Sequence, residues 1–205
     1  MNKTFNELNQ WLLQNWTAAR QLEDSMNKVQ EKYKTVCERV IEAVQGERPE
    51  LDNCRVHFKQ GDGSLSFAKK KWLTQYGTWP SGLWIGNMSL DELMADETDA
   101  PCASIWLWVP KGTNLDLEEA RTKIENAGGE FMKGEKLKCF FKEESEREKN
   151  KKTCFWYNIP ESRKELTQML LDEESEKFVE CIASHVMILA RFIPVLDQIL
   201  LTERP

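Results

Sequence analysis

Histidine is scarce in this chain of 205 residues, which contains only His57 and His185. Because histidine is the commonest metal ligand and the usual acid–base residue near neutral pH, two copies leave few candidates for either chemistry. The sequence also lacks a Cys-x-x-Cys pair, a His-x-Glu motif, a Walker loop and a Gly-x-Gly-x-x-Gly loop. We therefore predict a non-enzymatic protein with no catalytic residues, no metal and no cofactor.

An excess of positive charge is absent as well. The net charge is −6 and the isoelectric point is about 5.2, which disfavours a general binder of nucleic acid or of anionic membranes. No long uninterrupted apolar run is present either. The longest apolar stretch, residues 181–201, contains His185, Arg191 and Asp197, so it predicts a buried helix and no membrane association.

The six cysteines are scattered along the chain, and each lies in or beside an apolar stretch. The amino-terminal residues are polar and lack the pattern of a signal peptide. Reduced, buried thiols are the expected state of such cysteines in a protein that is not secreted. The sequence therefore predicts a cytoplasmic protein.

The dominant feature that is present is a helical repeat over residues 4–45. Positions spaced alternately by three and four residues are apolar with one exception, which is typical of a coiled coil. The seam consists of Leu8, Leu12, Asn15, Ala19, Leu22, Met26, Val29, Tyr33, Val36 and Val40, with Phe5 before it and Ala43 after it. Gly46 and Pro49 predict the end of the helix.

This seam needs a covering partner, because a long helix is stabilised mainly by its buried face. Asn15 is the polar exception, and a single amide in a seam can fix register and strand number. Residues 21–34 carry only a narrow apolar stripe, which favours a two-helix arrangement. We expect a homodimer, with another protein as a further partner. The alternative is that the helix lies along its own domain as part of the core.

In the remainder of the chain, short segments with alternating apolar and polar residues are followed by helical patterns, as in a small sheet with helices after it. The sequence predicts an α+β fold with a long N-terminal coiled-coil helix, a mainly antiparallel sheet of about five or six strands, and a long C-terminal helix. Residues 1–46 form the predicted coiled-coil helix and residues 47–205 the body. The predicted strands are 54–58, 64–68, 83–85, 103–109, 137–142 and 154–159, and the predicted helices of the body are 115–127, 161–171 and 175–201.

Cys181 and His185 are four residues apart on the predicted C-terminal helix, so they share one face. That spacing allows a catalytic or metal-binding pair. The same face carries Phe178 and Leu189, and the sequence offers no third orienting group nearby. We interpret the two residues as a buried pair in the core.

Eight tryptophans are an unusual number for this length. Most are expected to fill the core, while an exposed minority could bind a base, a cationic group or a peptide. Trp72 and Trp79 lie in or near predicted loops, beside Lys69, Lys70 and Lys71. These five residues are the possible recognition surface, and nucleic-acid binding through them is an alternative function that we do not favour.

An acidic stretch provides the second alternative. Asp91, Glu92, Asp96, Glu97 and Asp99 could gather a divalent cation in a metal-dependent enzyme. A solvated loop explains the same residues more simply. The sequence thus predicts an adaptor, an inhibitor or an assembly factor that acts through its N-terminal helix.

Overall fold

The fold is α+β, as predicted, in a computed structural model that describes residues 3–59, 62–72, 81–94, 100–108, 116–132, 138–140, 151–172 and 175–202. The chain divides into two compact units, residues 1–35 and residues 36–205. The boundary predicted at residue 46 lies further along the same helix.

The predicted N-terminal helix is present in two pieces, α1 (Lys3–Gln14) and α2 (Trp16–Glu47). The helix is interrupted at Asn15, although the backbone N–H of Asn15 still donates to the carbonyl oxygen of Trp11, with 2.9 Å between the two atoms. Gly46, predicted to end the helix, lies inside α2, and the end falls just before Pro49. A glycine lowers helix stability by only about 1 kcal/mol, so it does not stop a helix that is otherwise packed.

Within the described residues six strands form one sheet: β1 (Asn53–Lys59), β2 (Asp62–Ala68), β3 (Gly82–Gly86), β4 (Cys102–Trp108), β5 (Cys139–Phe140) and β6 (Lys151–Asn158). Their order is β1-β2-β3-β4-β6-β5, and all neighbours are antiparallel. The prediction of about five or six mainly antiparallel strands is confirmed, and β4 lies in the interior of the sheet between β3 and β6. The register of β4 against β6 shifts between Ile105 and Trp106.

In the part of the second unit that the structure describes, the further α-helices are α3 (Leu90–Met94), α4 (Leu117–Phe131), α5 (Arg163–Leu171), α6 (Glu176–Ala190) and α7 (Ile193–Thr202). The prediction that α4 ends before Gly128 was wrong, because the helix continues through both glycines to Phe131. The predicted long C-terminal helix is α6 followed by α7, bent by 53°. Pro194 lies in the first turn of α7, where its missing N–H is tolerated.

One face of the sheet carries the core of the second unit. Phe155 of β6 packs against Phe192 with 4.9 Å between the ring centroids, and Phe131 of α4 meets Phe192 edge-on at 5.3 Å. From α2, Val36 and Val40 are buried in the same unit. Arg39 of α2 also forms an ion pair with Glu176 of α6. The later part of α2 is therefore structural.

Among the described residues, no single helix is long and apolar enough to cross a membrane. The bent pair of α6 and α7 reaches that length and composition only when the two helices are taken together. Both helices carry buried side chains within the second unit, among them Ile182 of α6 and Leu196 of α7.

Candidate functional sites

The first candidate site is the exposed segment of the seam, Leu22, Met26 and Val29. These side chains are 62%, 55% and 54% exposed. Two tryptophans at the edge of the seam, Trp11 and Trp16, are also more than half exposed. Large apolar side chains that recur along one helical stripe and remain in water indicate an interaction surface.

The other predicted seam residues divide into two groups. Tyr33, Val36 and Val40 are buried, whereas Leu12, Asn15 and Ala19 are partly exposed. The side chain of Leu8 lies outside the part of the chain that the structure describes. The same three-four pattern therefore runs through two environments. Its residues from Tyr33 onward are buried, whereas those from Leu22 to Val29 are exposed.

The side chain of Asn15 forms a hydrogen bond with the preceding turn of the helix. Its Nδ2 atom donates to the carbonyl oxygen of Trp11 with 2.9 Å between the two atoms. This hydrogen bond occupies one donor of the amide and leaves its second N–H and its carbonyl oxygen as groups that could face a partner. The role of Asn15 in fixing register stays a prediction.

The predicted exposure of Trp72 is wrong, because its side chain is only 1% exposed. Trp72 lies in a short 3-10 turn, Lys70–Trp72, and its indole Nε1 donates to Asp197 of α7 at 2.8 Å. Lys69 is also buried, and its Nζ atom pairs with Asp197 at 2.7 Å. This cluster therefore holds the turn after β2 against α7.

The other three residues of the predicted recognition surface are Lys70, Lys71 and Trp79. Lys70 and Lys71 are exposed, but Lys71 also lies 3.5 Å from the Asp197 carboxylate. Trp79 lies outside the described residues. Of the four residues of this surface that the structure describes, Lys70 and Lys71 are exposed, whereas Lys69 and Trp72 are buried.

A different set of aromatic rings lies on the sheet face opposite the helices. His57 of β1 stacks on Trp84 of β3 at 5.5 Å, and Trp84 meets Trp106 of β4 at 5.7 Å. His57 and Trp106 are partly exposed, whereas Trp84 is buried. The predicted aromatic surface therefore corresponds to strand residues more closely than to loop residues. Each of the three strands contributes one of these rings, and the alternation of side chains along a strand places the ring on the face opposite its two chain neighbours.

The predicted acidic cation site is only partly described. Glu92 of α3 accepts backbone hydrogen bonds from Ser89 at 2.7 Å and from Gly63 at 3.1 Å. It therefore caps α3 and fastens the β1–β2 hairpin to that helix. Asp91 is exposed, and Asp96, Glu97 and Asp99 lie outside the described residues.

The second candidate site joins the end of β6 to α6. His185 is 5% exposed, and its Nε2 atom lies 3.1 Å from Oε2 of Glu161. Cys181, one helical turn before His185, completes a group whose ligand atoms all lie within 4.8 Å of one another. The Cys181–His185 pair is thus brought together as its spacing predicts, and Glu161 is the third group that sequence reasoning missed.

Tyr157 of β6 fixes the imidazole from the opposite side. Its hydroxyl lies 3.1 Å from Nδ1 of His185 and donates to the backbone carbonyl of the same residue at 3.4 Å. A hydroxyl can both donate and accept, so it can pair with either tautomer of the ring. The Tyr157 hydroxyl and the Glu161 carboxylate thus contact the two ring nitrogens of His185, one at Nδ1 and the other at Nε2.

The Cys181 thiol is not an activated nucleophile. Burial raises its pKa, the negative charge of Glu161 raises it further, and the resulting value is about 12. Nucleophilic cysteines need a lowered pKa, since the thiolate is the reactive form. A cysteine-based hydrolytic mechanism therefore has no support at this site.

Glu161 also lines a groove of about 830 Å³. The groove lies between α3, α5 and the segment that follows β6, and it is lined by both apolar and charged side chains. Its lining includes Leu93, Met94, Pro160, Thr167 and Leu171. A group bound at Glu161 could therefore be reached through this groove.

No model of a protein family matches the sequence, and neither a curated protein nor a solved structure is significantly similar to it.

Proposed function

We propose that this chain is a protein-interaction protein that self-associates as a homodimer through its N-terminal helix. The observation that carries the proposal is the exposed segment of the seam, Leu22, Met26 and Val29, each more than half exposed. Burying an apolar side chain of this size contributes about 1.5 to 3 kcal/mol. Three such residues, doubled by symmetry, are a substantial driving force.

A second copy of the chain is the partner that the helix itself favours. A seam with strict three-four spacing is complementary to another helix with the same repeat, and two copies supply this by definition. The flanking positions do not oppose self-pairing. In a parallel, in-register pair, Ala18 of one copy faces Glu23 of the other and Ser25 faces Gln30, so no like charges meet.

The tryptophans at the edge of the seam support the same arrangement. In that parallel pair, Trp11 of one copy lies across from Trp16 of the other. Both rings are exposed in the single chain. Their contact across the interface would cover the seam around Asn15 and exclude water from it.

A matched pair of double variants tests the proposal. Leu22→Lys with Met26→Lys places two charges in the seam, whereas Gln21→Lys with Asn27→Lys places two lysines at neighbouring exposed positions outside it. Light scattering and sedimentation of the full chain should show a dimer for wild type and for the control pair. The seam pair should be monomeric, with reduced helical circular dichroism, because an uncovered helix is marginal in water.

Two results would contradict the proposal. A wild-type chain that stays monomeric at roughly 100 μM, well above the micromolar Kd of a weak specific complex, would exclude the homodimer. A seam variant that dimerises as tightly as the control variant would show that another surface associates.

A further inference from the structure

We propose that Glu161, Cys181 and His185 form a Zn²⁺ site, with a carboxylate oxygen, Sγ and Nε2 as its three protein ligands. The three ligand atoms lie within 4.8 Å of one another. Zinc bonds of about 2.0 to 2.3 Å in tetrahedral geometry place neighbouring ligand atoms about 3.4 to 3.7 Å apart. Small rotations of the partly exposed Glu161 side chain close this difference.

The ligands are held by elements that do not depend on the metal. Cys181 and His185 occupy successive turns on one face of α6, a helix of 15 residues that is largely buried. Glu161 follows β6 and precedes the capping box that starts α5, in which Ser162 and Glu165 bond each other. Side chains fixed by a helix and by a capped turn make a pre-organised site.

The outer hydrogen bond of the imidazole fits a metal ligand. Histidine ligands usually donate their second ring N–H to an oxygen, which sets the tautomer and the orientation of the ring. With the ion on Nε2, Nδ1–H of His185 would donate to the hydroxyl oxygen of Tyr157, which lies 3.1 Å away. The arrangement leaves Nε2 and Oε2 of Glu161 facing each other at 3.1 Å. In the metal-free chain a proton on Nε2 can bridge these two atoms, and Zn²⁺ would take the place of that proton.

The ligand set selects the ion. Thiolate, imidazole and carboxylate together suit zinc, whereas Mg²⁺ and Ca²⁺ require oxygen ligands. Coordination removes the thiol proton, so the ligands contribute two negative charges, one from Glu161 and one from Cys181, which balance the charge of the ion. The fourth position would be taken by water on the side of the groove, since Glu161 lines that groove.

Metal binding to the full chain tests the site directly. The protein is stripped with a chelator and titrated with Zn²⁺ against a chromophoric competitor, and Co²⁺ is used as a spectroscopic probe. We expect one ion per chain and a thiolate-to-cobalt charge-transfer band. Mg²⁺ and Ca²⁺ should not compete. Zn²⁺ should also raise the melting temperature, because it binds the folded state.

Variants separate this site from adventitious binding. Cys181→Ser should abolish the charge-transfer band, and His185→Gln and Glu161→Gln should weaken Zn²⁺ binding by more than the roughly 10- to 100-fold expected for the outer partner in Tyr157→Phe. Cys102→Ser and His57→Gln are matched controls that remove residues of the same types elsewhere, and they should bind as wild type does. Circular dichroism establishes that each variant is folded.

Three outcomes would overturn the proposal. One is wild-type affinity for Zn²⁺ no higher than that of folded Cys181→Ser, and another is a charge-transfer band that persists in that variant. The third is Zn²⁺ affinity unchanged in Glu161→Gln, the mildest of the substitutions because this side chain is 32% exposed.

Discussion

The carboxylate of Asp197 accepts a hydrogen bond from the indole of Trp72, with 2.8 Å between Oδ1 and Nε1. Its second oxygen pairs with Nζ of Lys69 at 2.7 Å. Burial raises the pKa of Asp197, but the hydrogen bonds from Lys69 and Trp72 and the charges of Lys69 and Lys71 outweigh it, so the pKa lies below its usual value. The ionised carboxylate therefore stabilises the contact between the turn after β2 and α7.

Removing this charge should destabilise the fold. Asp197→Asn leaves the buried ammonium of Lys69 without its carboxylate, and we expect the free energy of unfolding at pH 7 to fall by about 1 to 3 kcal/mol. Urea denaturation measures the change. Lys71→Gln is the control, because an exposed partner at longer distance contributes at most about 1 kcal/mol.

The stability that the Asp197 carboxylate contributes should depend on pH. A lowered pKa in the folded state contributes stability above the ordinary value of 3.8 and loses it as the pH falls through the folded value. The difference in stability between wild type and Asp197→Asn should therefore be constant near neutral pH and shrink below about pH 4. A difference that persists unchanged at the lowest pH would show that the charge of Asp197 is not responsible.

Replacement of Asn15 should change assembly. In Asn15→Leu the bond from Nδ2 to the carbonyl of Trp11 is lost, and an apolar side chain fills the seam. Apolar seams without a polar position allow several registers and strand numbers. Sedimentation should reveal a mixture of oligomers with helical content retained. If the stoichiometry is the same as in wild type, Asn15 does not fix the register.

Gly63 should not tolerate a side chain. A Cβ atom at this position would lie 2.2 Å from the backbone nitrogen of Ser89, which cannot move away as a flexible side chain can. We expect Gly63→Ala to lower stability by about 1 to 3 kcal/mol. Thermal denaturation of Gly129→Ala is the comparison, since that position in α4 has open space around it. There the substitution should stabilise the helix by about 0.5 to 1 kcal/mol.

Cys54 should react slowly with alkylating reagents. Burial raises the pKa of its thiol from 9.0 to about 11. Near pH 8 this lowers the thiolate fraction about 100-fold relative to an ordinary thiol. Iodoacetamide labelling followed by mass spectrometry of the peptide should show slow modification in the folded chain and fast modification in urea. Equal rates in the two conditions would contradict the buried environment.

Periodicity predicts what is local in this fold. Apolar alternation located the strands because successive side chains point to opposite faces, and the three-four spacing located α2. Neither pattern shows which stretch of an apolar stripe the body covers. Val36 and Val40 therefore look the same in the sequence as Met26 and Val29, although the structure buries the first two and exposes the others.

Contacts between distant residues explain the remaining differences. Trp72 and Asp197 are 125 residues apart, so the burial of this tryptophan is invisible to any local pattern. The loop-like surroundings of Trp72 wrongly indicated exposure. Glu161 was missed for the same reason, since it follows a strand at a position without periodicity and meets His185 only after α6 packs on the sheet.

The contact between Glu161 and His185 has a consequence for local motion. The two residues are 24 positions apart, and α5 lies between them. The contact therefore closes residues 161–185 into a loop whose two ends are held by the end of β6 and by α6. An ion bound between Glu161 and His185 would link the two ends of this loop reversibly. Amide hydrogen exchange in α5 would then slow, while exchange in the sheet would stay the same.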